Sequence, residues 1–225
     1  VFFMNDSMEY YWFEKKFLEY IQEYQQKDPK FHTGAILHME HSIEQFCACC
    51  SEDRDSLSQW RGYADDGRGF AIGFDSKQFV PPDSTPETAQ LRKVIYDEGG
   101  QRELLKKALI YAESPEAPED AQETIHAMNV LGTSNNVWWY GAICKNPKFS
   151  EEKEWRLGNP HLFQVLKRSL SYSAKGSLIV PYLKYPLDLN KPPIVEVMFG
   201  PRNTLGENED SVRFLLKTSC YGDKV

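Results

Sequence analysis

No run of apolar residues in this 225-residue chain approaches the ~20 that a helix needs to cross a bilayer. The expectation is therefore of no membrane association. Basic residues are in deficit, with 26 Lys and Arg against 33 Asp and Glu, a net charge of −7. A sequence-independent nucleic-acid binder, or a polybasic membrane anchor, depends on clustered Lys and Arg. The balance argues against both, while leaving room for an enzyme acting on a macromolecule through one local pocket. Paired cysteine spacing is also missing. The five Cys are an odd number, three crowded at Cys47, Cys49 and Cys50 and two isolated at Cys144 and Cys220. His38 and His41 lie nearby, but the second half of a paired zinc spacing is absent. The reading is of free thiols with no metal among Cys47, Cys49 and Cys50. A Cys–His nucleophile at Cys50 or Cys144 has no local signature to support it. No basic n-region followed by a long apolar h-region opens the chain, so a reducing, cytoplasmic compartment is expected. Gly67, Gly69 and Gly73 have the wrong spacing for a dinucleotide fingerprint and read as turn and close-approach positions.

What is present is an ordinary globular mix, 41% hydrophobic and 26% charged, with a heavy aromatic share of 13%. Such a chain can fill a core or line a pocket for a flat ligand. Val1–Phe3 reads as a strand end. Asp6 and Glu9 have capping-box spacing, and Glu9 is assigned to that box rather than to catalysis. Trp12, Phe13, Phe17 and Ile21 then recur at helical intervals to about Gln26, predicting a helix that buries all four. Gln45–Cys50 (QFCACC) reads as a short strand and Asp55–Tyr63 as a helix beginning at Asp55 or Ser56. Asp65-Asp66-Gly67 is a turn, and Gly69–Phe74 a strand. Pro81–Glu87 reads as a loop and Arg92–Tyr96 as a strand. Helical stretches follow at about Gln101–Ala112 and Glu119–Cys144, then a loop from Asn146 to Glu151. Further strands are predicted at Lys153–Gly158, Gly176–Leu183 and Ile194–Phe199, with a closing helix from Asp210 to Lys217. The mixed order, with helices gathered in the middle at 97–145, predicts one α+β domain over 1–225. Its mostly antiparallel, split sheet is expected to hold Phe46–Cys50, Phe70–Phe74, Trp155–Leu157 and Val195–Phe199 as one twisted unit.

Two features carry chemistry. Glu152 and Glu154 lie at i and i+2, so both point to one face if the chain is extended from Glu152 onward. Trp60 and Tyr63 lie at i and i+3 of a helix, so one face can present both to a flat base or nicotinamide. Each has a plainer reading. Glu154 and Arg156 can pair across one strand face as a structural ion pair. Trp60 and Tyr63, like Trp138 and Trp139, can serve packing. Ser51 can be a turn residue or a helix cap.

The segments NDSME at Asn5–Glu9, CSEDRDSLSQWRGYADDGRGFAIGFD at Cys50–Asp75 and KNPKFSEEKEWRL at Lys145–Leu157 together resemble the bacterial domain-of-unknown-function family 2971. The likeness runs in order from Asn5 to Gly200. Cys50-Ser51 lacks the Phe of the family's Cys-Phe-Ser, and the family's first strand and helix are expected upstream of Asn5. A weaker, fold-level likeness is to ADP-ribosyltransferases. In those enzymes a strand ending in a Ser-Thr-Ser-like segment is followed by a helix and a returning strand, and later by a Gln/Glu-x-Glu turn. Phe46–Ser51, Leu57–Tyr63, Phe70–Phe74 and Glu152-Lys153-Glu154-Trp155 fall in the same order.

That second resemblance implies transfer of ADP-ribose from NAD to a macromolecular acceptor, as a toxin or phage-defence effector. Glu154 would be the catalytic carboxylate that stabilises oxocarbenium-like charge on the ribose, and Glu152 would activate the acceptor. Ser51 would position the nicotinamide ribose, and Trp60, Tyr63 and Arg156 would help hold NAD. In this reading NAD is a substrate and no metal takes part. The competing reading, from another class, is a non-catalytic nucleotide- or peptide-binding module.

Overall fold

The computed structural model describes residues 9–27, 46–79, 90–109, 132–134, 136–137, 139–158, 170–175, 177–185, 187 and 193–219. The readings at Val1–Phe3, His38, His41, Pro81–Glu87, Trp138 and Cys220 lie outside them. The fold is α+β. The chain divides into two compact units, one of Val1–Cys50 with Thr85–Leu183, the other of Ser51–Ser84 with Lys184–Val225.

In the first unit, helix α1 runs from Glu9 to Lys27. Its apolar stripe buries Phe13, Phe17, Tyr20 and Ile21, and the rings of Phe13 and Phe17 stack with centroids 6.0 Å apart. Trp12, expected in the core, is half-buried. Its indole N–H donates to Gln101 Oε1 at 3.3 Å. An indole needs a partner for that N–H, which a wholly apolar site would deny it. The α1 stripe packs with Leu105, Ala108 and Leu109, which belong to a second helix at Glu98–Leu109, and with Val137 and Cys144. Residues 132–134, 136–137 and 139–143 are also helical. Gly141 lets that segment come close, since a Cβ there would stand 2.9 Å from the Phe13 ring.

Three strands form the sheet of this unit. They are β1 (Cys47–Ser51), β4 (Glu154–Gly158) and β3 (Gln90–Lys93), in the order β1-β4-β3. β3 and β4 are antiparallel, with Arg92 opposite Arg156 and Lys93 opposite Trp155. The central strand is the best buried, with Glu154, Arg156 and Leu157 all inside. A separate antiparallel hairpin joins β5 (Ser171–Lys175), a strand missed in the sequence, to β6 (Leu178–Tyr182).

The second unit pairs β2 (Phe70–Phe74) with β7 (Ile194–Phe199), antiparallel and with Phe70 opposite Phe199. Its helices are α2 (Leu57–Tyr63), a short 3-10 turn at Ser76–Phe79 and, at the end, Leu205–Thr218. In chain order the labelled helices are α1, α2, α3 (Glu98–Leu109) and α4 (Leu205–Thr218), with the helical residues 139–143 between the last two. Asp65, Asp66 and Gly67 all have positive φ, as the turn reading requires. The turn is tied to the end of β7 by Gly200 N–H to Gly69 O and Arg202 N–H to Gly67 O. Gly200 is obligatory there, because a Cβ would lie 2.2 Å from Gly67 O.

The four strands expected in one sheet are thus divided. Phe46–Cys50 overlaps β1, which starts and ends one residue later, and Trp155–Leu157 lies within β4, while Phe70–Phe74 and Val195–Phe199 make their own two-stranded ladder. Period-2 patterning identifies a strand but not its partner, and β2 finds its partner more than a hundred residues away.

Phe17 is fully buried in the α1–α3 core, whereas Phe214 on α4 is exposed. Phe17→Ala is expected to cost about 3–5 kcal/mol in denaturant unfolding, and Phe214→Ala to stay within about 0.5 kcal/mol of wild type.

Candidate functional site

The segment before β4 explains how two carboxylates come to one place. Asn146 accepts from Lys148 N–H with its side chain, and Pro147 supplies a fixed first φ, so residues 147–152 wind into a 3-10 helix. That corrects the loop expected there, and also the geometry proposed for the acidic pair. Glu152 ends the helix instead of lying in extended chain. Lys153, with φ 45°, takes the left-handed conformation and turns the backbone into β4, and Glu154 is the first residue of that strand.

Both carboxylates then converge on one cation. Lys145 Nζ donates to Glu152 Oε2 at 2.5 Å and to Glu154 Oε2 at 3.1 Å. Arg156, two residues along the same strand face, grips Glu154 through Nε to Oε1 at 2.8 Å and Nη2 to Oε2 at 3.0 Å. Its remaining fork donates to Ala142 O at 2.7 Å. Lys145, Glu154 and Arg156 are all buried. Tyr96 Oη receives the Glu154 N–H at 3.0 Å. Gln101 holds the base of the cluster, its Nε2 donating to Ile95 O and Lys145 O and its Oε1 accepting from Trp12.

The charges sum to zero, two carboxylates against Lys145 and Arg156. Burial alone would raise the Glu154 carboxyl. The hydrogen bonds and charge of Arg156, with a hydrogen bond from Cys49 and the charge of Lys145, outweigh it and hold the group below its ordinary 4.5. The carboxylate stays ionised in the interior because its partners are fixed in place.

The other candidates fall elsewhere. Ser51 closes β1, and its Oγ accepts from Asp53 N–H at 3.1 Å; Asp53 Oδ1 in turn accepts from Asp55 N–H. This is successive-turn chemistry leading into α2. Trp60 is only 4% exposed and gives its indole N–H to Asp55 Oδ1, while Tyr63 is 59% exposed. One member of the aromatic pair therefore packs inside and the other faces out. Ser51, Trp60 and Tyr63 all belong to the second compact unit, and Glu152, Glu154 and Arg156 to the first.

None of the four described cysteines is in a disulfide. Burial pushes the Cys144 thiol up to about 12, and burial with the Glu154 charge raises Cys50. Neither is poised as a thiolate nucleophile. Among the described residues, no group of three or more His, Cys, Asp or Glu could hold a metal ion. Among them, too, no helix is long and apolar enough to cross a membrane.

Sequence reasoning missed the role of Lys145, Tyr96 and Gln101, because nothing in KNPKF or in an isolated Tyr or Gln announces burial. It also missed a groove of about 950 Å³ in the first unit. Tyr96, Trp139, Tyr140 and Trp155 give it aromatic walls, and Arg92, Lys93 and Lys107 line it as well. Lys93 Nζ lies 5.9 Å from the centre of the Trp155 ring, the residue opposite it on β4. Trp155 alternates with Glu154 and Arg156 along the strand, so the groove and the ion cluster use opposite faces.

The cluster generates a pH prediction. The folded-state pKa of Glu154 lies below its unfolded value, so its stabilisation is full above about pH 4.5 and is lost as pH falls through the folded value. Glu154→Gln is expected to lower stability at neutral pH by about 3–5 kcal/mol, because it strips Arg156 of its buried counter-charge. It should also flatten the acid limb of stability against pH. Denaturant unfolding of both proteins from pH 3 to 7 checks this. An unchanged acid limb would contradict the assignment.

No curated protein and no solved structure matches the chain. Residues 59–157 match the family described as "Protein of unknown function (DUF2971)". That stretch spans most of α2, all of β2, β3 and α3 and most of β4, and so contains Trp60 and Tyr63, the lining of the groove and the whole ion cluster. The family likeness read from the motifs is shown by this match: the chain carries a DUF2971 segment over residues 59–157.

Proposed function

We propose that the chain is a binding module for an anionic, flat-ringed ligand of the nucleotide class, held in the groove beside β3. The observation that carries this reading is the makeup of the groove itself, aromatic walls alongside Arg92, Lys93 and Lys107 in about 950 Å³. Pockets of this size take nucleotide-sized molecules. Aromatic faces accept a base by stacking, and ammonium and guanidinium groups accept phosphate by charge-assisted hydrogen bonds.

ADP-ribosyl transfer from NAD is the second reading. What favours it is the Glu-x-Glu arrangement at the start of β4, with Glu154 ionised. Against it stands the occupancy of Glu154, whose two oxygens are taken up by Arg156 and Lys145. A carboxylate that stabilises a sugar cation must face the sugar. Here it faces fixed protein cations, which supports a structural role for Glu154 and a binding role for the groove.

Calorimetric titration with ADP, NAD and adenosine tests the proposal. ADP and NAD are expected to bind and to change tryptophan fluorescence, with adenosine weaker by tenfold or more for want of phosphate. Lys107→Ala should weaken ADP by roughly tenfold, equal to about 1.4 kcal/mol, and leave adenosine unchanged. No binding of any of the three at millimolar concentration would overturn the reading. Release of nicotinamide from NAD, falling by orders of magnitude in Glu154→Gln at unchanged melting temperature, would replace it with the transferase reading.

A further inference from the structure

Two of the three crowded cysteines meet. Cys47 and Cys49 alternate along β1, so their side chains project to one face, and their sulfurs stand 4.0 Å apart. Cys50 projects to the other face. Cys47 is half-buried and Cys49 is exposed, so the pair can be reached from solvent. The expectation of thiols without metal rested on the missing paired spacing of a zinc site, which needs four ligands. A softer ion needs fewer.

We infer that Cys47 and Cys49 form a two-thiolate site for a soft monovalent cation of the Cu(I) class. Even at the zinc–thiolate length of about 2.3 Å, a sulfur separation of 4.0 Å lets one ion touch both sulfurs at an angle of roughly 120°, and a shorter bond opens that angle further. That is an open, low-coordinate arrangement, which thiolate-loving ions accept and which leaves room for one solvent ligand. Each thiol loses its proton to solvent as a sulfur lone pair makes the metal bond, and no atom changes oxidation state. The product carries a net charge of −1. The ion cluster beside Cys49 presents both signs to this charge, Glu154 repelling it and Arg156 attracting it.

The test uses the reduced, metal-free chain and Cu(I) itself, delivered against a competing chelator. Native mass spectrometry is expected to show one tightly held copper. Cys47→Ser and Cys49→Ser should each lose it, and Cys50→Ser, Cys144→Ser and Cys220→Ser should each keep it, with folding checked by circular dichroism. A second readout needs no variant: bound copper should protect Cys47 and Cys49 from alkylation, as mapped by peptide mass. Failure of the wild type to hold copper overturns the inference. So does copper retained by the Cys47→Ser/Cys49→Ser double variant, or alkylation of both thiols unaffected by the metal.

Discussion

The pairing of Glu154 with Arg156 in the interior is the constraint that the rest of the first unit must satisfy. Ionised groups of this kind are costly to bury, and they are held only where every lone pair and proton finds a partner. The surrounding structure meets that demand element by element. The left-handed Lys153 brings Glu152 up behind Lys145, the helical residues 139–143 offer Ala142 O to Arg156, and Tyr96 receives the Glu154 N–H. Gln101, at the start of α3, fixes the Lys145 backbone and reaches α1 through Trp12. A single polar chain thereby ties α1, α3, the helical residues 139–143 and β4 together.

This arrangement also divides labour along one strand. Glu154 and Arg156 occupy one face of β4 and are consumed by structure, while Trp155 on the other face reaches the groove. A strand at the centre of its sheet can serve both purposes because its side chains alternate. The same alternation on β1 sets Cys47 and Cys49 side by side and separates both from Cys50. The region around β4 therefore holds three distinct chemistries, a neutral ion cluster, a basic aromatic groove and a thiol pair.

Much of this was legible in the sequence, and the limits have physical causes. Elements whose signal is periodic were found nearly to the residue, among them α1, β2, β4 and β7. The likeness to the family of unknown function rested on ordered motifs and is shown over residues 59–157. The ion pair between Glu154 and Arg156 was visible as the plainer alternative, since i, i+2 spacing on a strand permits it. Burial was not visible, because Lys145, Tyr96 and Gln101 take their roles from contacts 9, 58 and 89 positions away. The division of the strands into separate sheets was likewise hidden, because strand partners are chosen by long-range packing that local patterning does not encode.

The account's central claim is that Glu154 and Arg156 are bound to each other rather than to a substrate. A double-mutant cycle measures this directly, with Glu154→Leu, Arg156→Met and the two combined, compared by denaturant unfolding at neutral pH. Each single change leaves one buried charge exposed to an apolar neighbour, and the combined change leaves neither of the two. The account predicts that the double variant loses much less stability than the two singles summed, with a coupling of about 1–3 kcal/mol. Additive losses, with coupling below about 0.5 kcal/mol, would contradict it.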